Sequence, residues 1–385
     1  MGRHFQVLQA SQFLASLTDQ SMFFAFVVMA KQQHMLSLDA FVALLYFCFF
    51  SVFLIGSPFA GTFVERHSKV RVLQMGSLIK MVALVGMIYG VPVWICYSFY
   101  AIGDLIYVPA KYAIINEWFE PGQGLMKANG WLEAVSVGAV IPGMLVGGWI
   151  ASVFGVQMII GLFGFLILSF LFTFFLPSQP GNRNLSYRES WRNFWLDIRE
   201  VGEEPALQRI LLVTGSAWTM GALLRIGYLA WLPLVLGITD ETVQGMIFAL
   251  APLATMVGAV LSYRFVDFGN HQKLIPIGYA AIVMVTLSPW MPNIWLAIGC
   301  IILIGMLGGM FVIPLNAFLQ AEGKVRMGTG RLNVIQNMVE YLNMIGCYAI
   351  YQLMTLASLS IYLKMMMIGV IALPFMIRFH RYFRR

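Results

Sequence analysis

Long apolar runs alternate with short polar connections along the whole chain. At roughly 20 apolar residues per bilayer crossing, the runs predict helices near 5–30, 40–64, 71–90, 92–115, 125–153 and 155–177. A second series follows near 208–236, 241–266, 273–291, 293–320, 329–357 and 359–378. The connections at Gly90 to Pro92 and at Met291 to Asn293 are expected to be tight. Between the two series lies a polar stretch from Ser178 to about Pro205. Its part from Asn182 to Glu204 mixes Arg, Glu and Asp with Trp191, Phe194 and Trp195. That mixture predicts an amphipathic helix lying at the membrane interface, the alternative being a plain solvated linker. The expected organisation is a six-helix set over 1–177, a linker over 178–207 and a second six-helix set over 208–385.

Composition turns these runs into membrane spans. The 385 residues are 60% hydrophobic and 11% charged, against about 25% charged in a soluble domain. Only a bilayer can solvate that much outward-facing apolar surface, with backbone polar groups satisfied inside each helix. The expected class is therefore an all-α membrane protein with 12 transmembrane helices. The first run carries Asp19 and continues to about Ala30 without a small-residue cleavage site, so it reads as a retained helix rather than a leader.

The net charge of +7 does not form the single basic stripe that nucleic acid requires, so no nucleic-acid partner is expected. It encodes topology instead. Nineteen Lys and Arg residues fall on one set of alternating connections and termini, including Arg3, Lys127, the five basic residues from Arg183 to Arg209, and the tail from Arg378 to Arg385. The other set has Lys31 alone. Such asymmetry places both termini and the central linker on the cytoplasmic side.

Catalytic chemistry is not indicated. The five His residues, at 4, 34, 67, 271 and 380, are expected in connections or tails, and the four Cys residues lie singly inside apolar runs. No metal-ligand spacing, nucleophile elbow or phosphate-binding glycine loop occurs, so neither an enzyme nor a self-contained ATP-driven pump is expected, and no cofactor.

Charges at membrane depth say more, because each costs several kcal/mol unless it is paired or faces water. They are Asp19, Lys80, Asp104, Lys111, Glu133, Arg225, Glu340 and Lys364. Lys364 is close enough to a span end to snorkel. Asp104 and Lys111 share a helix face. Asp19, Lys111, Glu133, Arg225 and Glu340 come from both sets and mix acids with bases. That pattern suits a cavity receiving a zwitterionic or anionic head group, the alternative being ion pairs that hold helices together. Gly143 with Gly147, and Gly305 with Gly309, have the spacing that lets helices touch. Pro58, Pro109, Pro142, Pro233, Pro252 and Pro314 lie within predicted spans, where they bend the backbone. Phe23, Phe24, Phe26, Met220, Tyr228 and Trp231 suit an apolar lining, with ordinary packing the default.

Two resemblances follow from particular residues. Two six-helix sets around a polar linker are the layout of major facilitator transporters. The connection Gly61-Thr-Phe-Val-Glu65-Arg66-His67-Ser68-Lys69-Val70-Arg71 resembles that superfamily's loop motif of a glycine, an acid and then basic residues, with Glu65 standing where Asp is usual. The resemblance implies a conformational latch made by Glu65, Arg66, Lys69 and Arg71, the acid pairing with basic residues and a nearby helix end. Five further segments resemble the bacterial lysophospholipid transporter family. They are Tyr107-Val-Pro-Ala-Lys111-Tyr112, Lys127-Ala-Asn129-Gly-Trp-Leu-Glu133, Leu224-Arg225 leading to Trp231-Leu-Pro-Leu-Val-Leu-Gly-Ile-Thr-Asp240, Pro314-Leu-Asn316-Ala-Phe-Leu-Gln320, and Gln336-Asn337 before Glu340. The likeness runs from Gln12 to the final span.

What this second resemblance implies is a facilitator-fold flippase of the bacterial inner membrane. It would carry lysophosphatidylethanolamine and related lysolipids inward for reacylation by an acyltransferase and acyl-ACP synthetase. Its substrate site would comprise Asp19, Tyr107, Lys111, Asn129, Glu133, Arg225, Asn316, Gln336, Asn337 and Glu340. Gln20 after Asp19, where Asn is expected, and the extra acid Asp104 depart from the family pattern and bear on head-group preference. The coupling ion, Na+ or proton, stays open. Two other readings stay open as well: proton-driven movement of a soluble compound through Asp19, Glu133 or Glu340, and a non-transporting scaffold docking a partner on its basic face.

Overall fold

Every one of the twelve predicted spans finds a helix. The structure, a computed structural model, describes residues 2–33, 38–143, 145 and 158–384. The first six spans are α1 (Arg3–Gln33), α2 (Leu38–Arg66), α3 (Lys69–Ile88), α4 (Val93–Trp118), α5 (Gln123–Gly138) and α6 (Met158–Thr173). The linker carries α7 (Ser190–Glu203), preceded by a 3-10 turn over Tyr187–Glu189. The last six are α8 (Pro205–Leu236), α9 (Glu241–Phe265), α10 (Leu274–Leu287), α11 (Ile294–Val325), α12 (Thr329–Leu356) and α13 (Ile361–Phe383). Gly147, His34, and the side chains of Phe23, Phe24, Phe26 and Lys31 lie outside the described residues, as do the end of the fifth predicted span and the start of the sixth.

Local chemistry sets the ends. Between α3 and α4, Gly90 takes a φ of +79°, open to glycine without a Cβ penalty, and the chain reverses over residues 89–92, around the tight connection expected at Gly90 to Pro92. Pro205 opens α8 at a position where its missing N–H costs nothing, and Gly237 closes it in the left-handed conformation. Ser360 accepts the N–H of Leu363 at the start of α13. The prolines at 58, 109, 233, 252 and 314 are inside helices, as expected, and so is Pro374.

The residues form two compact units that interleave along the sequence. Unit 1 contains Met1–Trp118, Val135–Ile198 and Glu322–Ile335, whereas unit 2 contains Phe119–Ala134, Arg199–Ala321 and Gln336–Arg385. In unit 1, α3 packs along α4, α2 along α4, and α1 along α6. Met22, Leu45, Met81, Leu84, Met87, Tyr100, Ile159, Leu162 and Leu166 close its apolar core. In unit 2, α13 packs against α8 and α10.

Small residues permit these contacts. A Cβ on Gly143 would come within 2.7 Å of the Gln20 side chain and 3.0 Å of the Leu17 carbonyl oxygen, and one on Gly305 within 2.6 Å of the Ala251 oxygen. Met220, Tyr228 and Trp231 are buried, with the Trp231 indole N–H donating to the Pro289 carbonyl at 3.0 Å, so packing describes them.

The histidine expectation needs correcting. His4 and His380 lie inside α1 and α13, because charged and polar residues extend both helices beyond their apolar runs. His271 is buried, its ring edge-on to Phe318 and to Phe383 with centroids 4.6 and 4.4 Å away.

Candidate functional site

Three sets of polar residues stand out against the apolar background. The first is inside unit 1. Lys80 on α3 is fully buried, and its ammonium donates to Asp19 Oδ1 on α1 at 2.8 Å and pairs with Asp104 on α4. The Tyr100 hydroxyl donates to the same Asp19 oxygen at 2.6 Å, and the Tyr100 and Tyr107 rings each lie 5.0 Å from the ammonium. Two carboxylates thus share one ammonium, with rings supplying further cation stabilisation. Asp19 keeps 28% of its side chain accessible, against 1% for Lys80. The cluster therefore ties three helices together and leaves one carboxylate partly accessible. Lys111 is buried with its ammonium 4.8 Å from the Tyr112 ring.

The second set is inside unit 2 and consists mainly of amides. Asn129 on α5 and Gln320 on α11 exchange two hydrogen bonds, of 2.9 and 2.6 Å. One turn earlier on α11, Asn316 accepts from Gln336 of α12 at 2.8 Å, and Gln336 also donates to Glu340 at 2.8 Å. Positions 316 and 320 lie on one helix face, so the bonds stack as a polar layer joining α5, α11 and α12. Glu133 and Asn337 are buried in the same unit. Arg225 on α8 differs from all of these. It is exposed, and among the described residues it makes no hydrogen bond or ion pair. An unpaired guanidinium partway along a 32-residue apolar helix requires water or an anion beside it.

The third set is at the end of unit 1 that the charge pattern assigns to the cytoplasm. Glu65 Oε1 accepts the backbone N–H of Gly330 in the first turn of α12 at 2.6 Å, and its other oxygen pairs with Lys69 at 2.9 Å. A carboxylate at a helix N-terminus meets both free N–H groups and the positive end of the helix dipole. Glycines make the approach possible: a Cβ on Gly328, whose φ is +105°, would lie 2.7 Å from the Glu65 carboxyl carbon. Arg331 adds a two-pronged bond to Asp197 of α7, at 2.7 and 2.5 Å. Asn116 bonds Thr329 at 2.5 Å, and Lys324 donates to the Asn116 carbonyl at 2.9 Å.

The expected partnership of Glu65 with all three nearby bases holds only for Lys69. Lys69 lies four residues on, within reach across the turn. Arg66 points away, donating to the Leu185 carbonyl and lying 4.9 Å from the Tyr187 ring. Arg71, a turn into α3, is exposed and without a hydrogen bond or ion pair among the described residues. Lys80 and Asp104 were legible as charges at membrane depth, but nothing in the sequence marked Tyr100 as a member of their cluster, Gln320 as the partner of Asn129 or Asp197 as the partner of Arg331.

An apolar helical chain with buried charged and amide clusters and a carboxylate-capped connection is that of a multi-pass membrane protein. The sequence matches the profile of the Major Facilitator Superfamily over residues 10–342, and the chain belongs to that superfamily. It is 29% identical to the lysophospholipid transporter LplT of Yersinia pestis over 360 residues, 92% of this chain and 87% of that one. The Yersinia pseudotuberculosis protein of the same name matches equally. The likeness read from the five segments is thus borne out along the chain.

Solved structures agree on the fold. The human organic anion transporter MFSD10 aligns with a TM-score of 0.79 at 13% identity, over 98% of this chain and 99% of that one. A bacterial homologue of the iron transporter ferroportin, in an outward-facing state, aligns at 0.73 with 16% identity over the whole of both chains.

Proposed function

We propose that this chain is a lysophospholipid transporter of the bacterial inner membrane, moving lysophosphatidylethanolamine and related lysolipids from the outer to the inner leaflet by alternating access. Reacylation by an acyltransferase and acyl-ACP synthetase follows on the inner side. The observation that carries this reading is the likeness to LplT proteins over 92% of the chain. It coincides with polar chemistry suited to a zwitterionic head. In this reading the free guanidinium of Arg225 binds the phosphate, because a planar fork matches phosphate oxygens and stays charged at depth. Asp19 and Glu340 favour an ethanolamine ammonium or a coupling cation. Tyr107, Lys111, Asn129, Glu133, Asn316, Gln336 and Asn337 shape the remaining polar surface. Glu65 with Lys69 serves as the latch, and both termini face the cytoplasm.

The test is transport by the purified protein in liposomes, with Na+ and proton gradients imposed separately. Lysolipid movement without flux of sugars or cationic drugs supports the proposal. Flux of a soluble compound, with lysolipid unmoved, supports the proton-driven alternative, and the absence of both leaves the scaffold.

A further inference from the structure

A further polar site lies in unit 1 beside the Glu65 contact, apart from the residues assigned to substrate. Arg66, His67 and Ser68, which follow one another where α2 meets α3, line a pocket of about 510 Å³ together with Arg71, Ser178 and Arg183. The floor is close-packed: a Cβ on Gly181 would lie 2.5 Å from the backbone of Arg66, so only glycine lets the segment after α6 lie flat on the turn. The Ser68 and Ser178 hydroxyls are 2.5 Å apart, and the Asn182 N–H donates to the Glu65 carbonyl at 2.9 Å.

Charge in the pocket is one-sided. Three arginines line it and no Asp or Glu does, the Arg66 guanidinium being held by the Leu185 carbonyl. Glu65, the nearest acid in sequence, is bound to Lys69 and Gly330. Arg71 and Arg183 are exposed and make no hydrogen bond or ion pair among the described residues. The first turn of α3 begins here with no acidic residue, and the Ser68 side chain does not cap it, which adds a positive helix end. Arginines without bound partners, lining one pocket at a helix N-terminus beside a serine pair, offer the donors that phosphate oxygens accept from. The charge pattern also sets Arg71 at the cytoplasmic lipid head-group level, where basic pockets between helices bind anionic head groups.

From this we infer that the pocket formed by the α2–α3 turn and residues 178–183 binds a phosphate group, carried either by an inner-leaflet anionic phospholipid or by a soluble phosphate. The site is separate from Arg225, and the inference stands whatever the transported substrate. It also gives Arg71 a role other than that of a latch residue. Because Arg66 holds Leu185 and Tyr187 while its neighbour Glu65 holds Gly330, a bound phosphate bridging Arg71 and Arg183 fastens the segment after α6 to the turn that carries the latch.

The test places a cysteine at Gln179, an exposed pocket residue, and follows its labelling by a membrane-impermeant maleimide in phosphatidylcholine nanodiscs. One arm adds phosphatidylglycerol to the bilayer. The other adds inorganic phosphate, with chloride at matched ionic strength as its control. Slowing of about tenfold is expected in at least one arm. Slowing by phosphatidylglycerol alone identifies a lipid head group, and slowing by inorganic phosphate identifies a soluble source. The pair Arg71→Gln and Arg183→Gln should abolish the protection, and Arg71→Lys with Arg183→Lys should restore part of it. Should the double glutamine variant fail to insert, Arg183→Gln alone on its exposed segment makes the comparison. Labelling unaffected in both arms, or equally slowed without the arginines, overturns the inference.

Discussion

The carboxylate of Glu65, at the end of α2, accepts the backbone N–H of Gly330 at the start of α12 across 265 positions of sequence. Lys69 holds its second oxygen, and no side chain bulkier than glycine fits at 328 without meeting it. A helix-terminal carboxylate is worth about 0.5–2 kcal/mol, and about 1.4 kcal/mol shifts an equilibrium tenfold. One contact of this kind is enough to bias a transporter between states.

Glu65→Gln keeps an acceptor but removes the charge. Amide exchange over 322–335 should quicken about fivefold, consistent with losing roughly 1 kcal/mol. Cysteines on the cytoplasmic side should label faster and periplasmic ones more slowly. Exchange and labelling unchanged at normal expression would leave this loop a topology signal only. Arg71→Gln should leave exchange over 322–335 at its wild-type rate.

Lys80 is the member of its cluster that cannot be lost alone. Lys80→Met strands the Asp19 and Asp104 carboxylates, and breaking a buried pair costs about 3–5 kcal/mol. A large fall in the detergent melting temperature is expected. Combining Lys80→Met with Asp19→Asn and Asp104→Asn should recover most of it. A single variant as stable as wild type contradicts the shared-ammonium arrangement.

Asn129 and Gln320 should couple. A double-mutant cycle with alanine at both positions is expected to show about 0.6–1.7 kcal/mol of interaction, the range for bonds between membrane helices. Strictly additive stabilities would mean that the reciprocal pair holds nothing.

The spans were legible because apolar run length is a local property, and the bilayer fixes the length required. α1 and α12 were harder cases, since Asp19 in one and Asn333, Gln336, Asn337 and Glu340 in the other interrupt the runs. Their length and flanks still marked them. Partnership was less legible. The eight membrane-depth charges could be picked out, but whether Lys80 faced Asp19, Asp104 or lipid depends on how α1, α3 and α4 rotate against each other, which no single segment encodes. The Asp197–Arg331 bond joins a linker helix to the first turn of the distant α12, and both residues looked like ordinary solvated charges. Unit membership followed the same rule. Residues 119–134 and 322–335 cluster by tertiary contact rather than by position in the chain.

Asp19→Asn and Glu340→Gln distinguish two roles for an acid. Contact with an ethanolamine ammonium predicts a greater loss for lysophosphatidylethanolamine than for lysophosphatidylglycerol, by about tenfold. Equal loss for both lipids assigns the acids to cation coupling or to structure.

The most direct measurement is the rate at which labelled lysophosphatidylethanolamine, added to the outer leaflet of proteoliposomes, becomes protected from extraction by albumin. Wild type should protect it well above protein-free liposomes, and a properly inserted Arg225→Lys should lose about tenfold of that rate, because an ammonium lacks the fork that grips phosphate. If wild-type proteoliposomes protect the lysolipid no faster than empty liposomes under every ion gradient, this chain is not a lysolipid transporter.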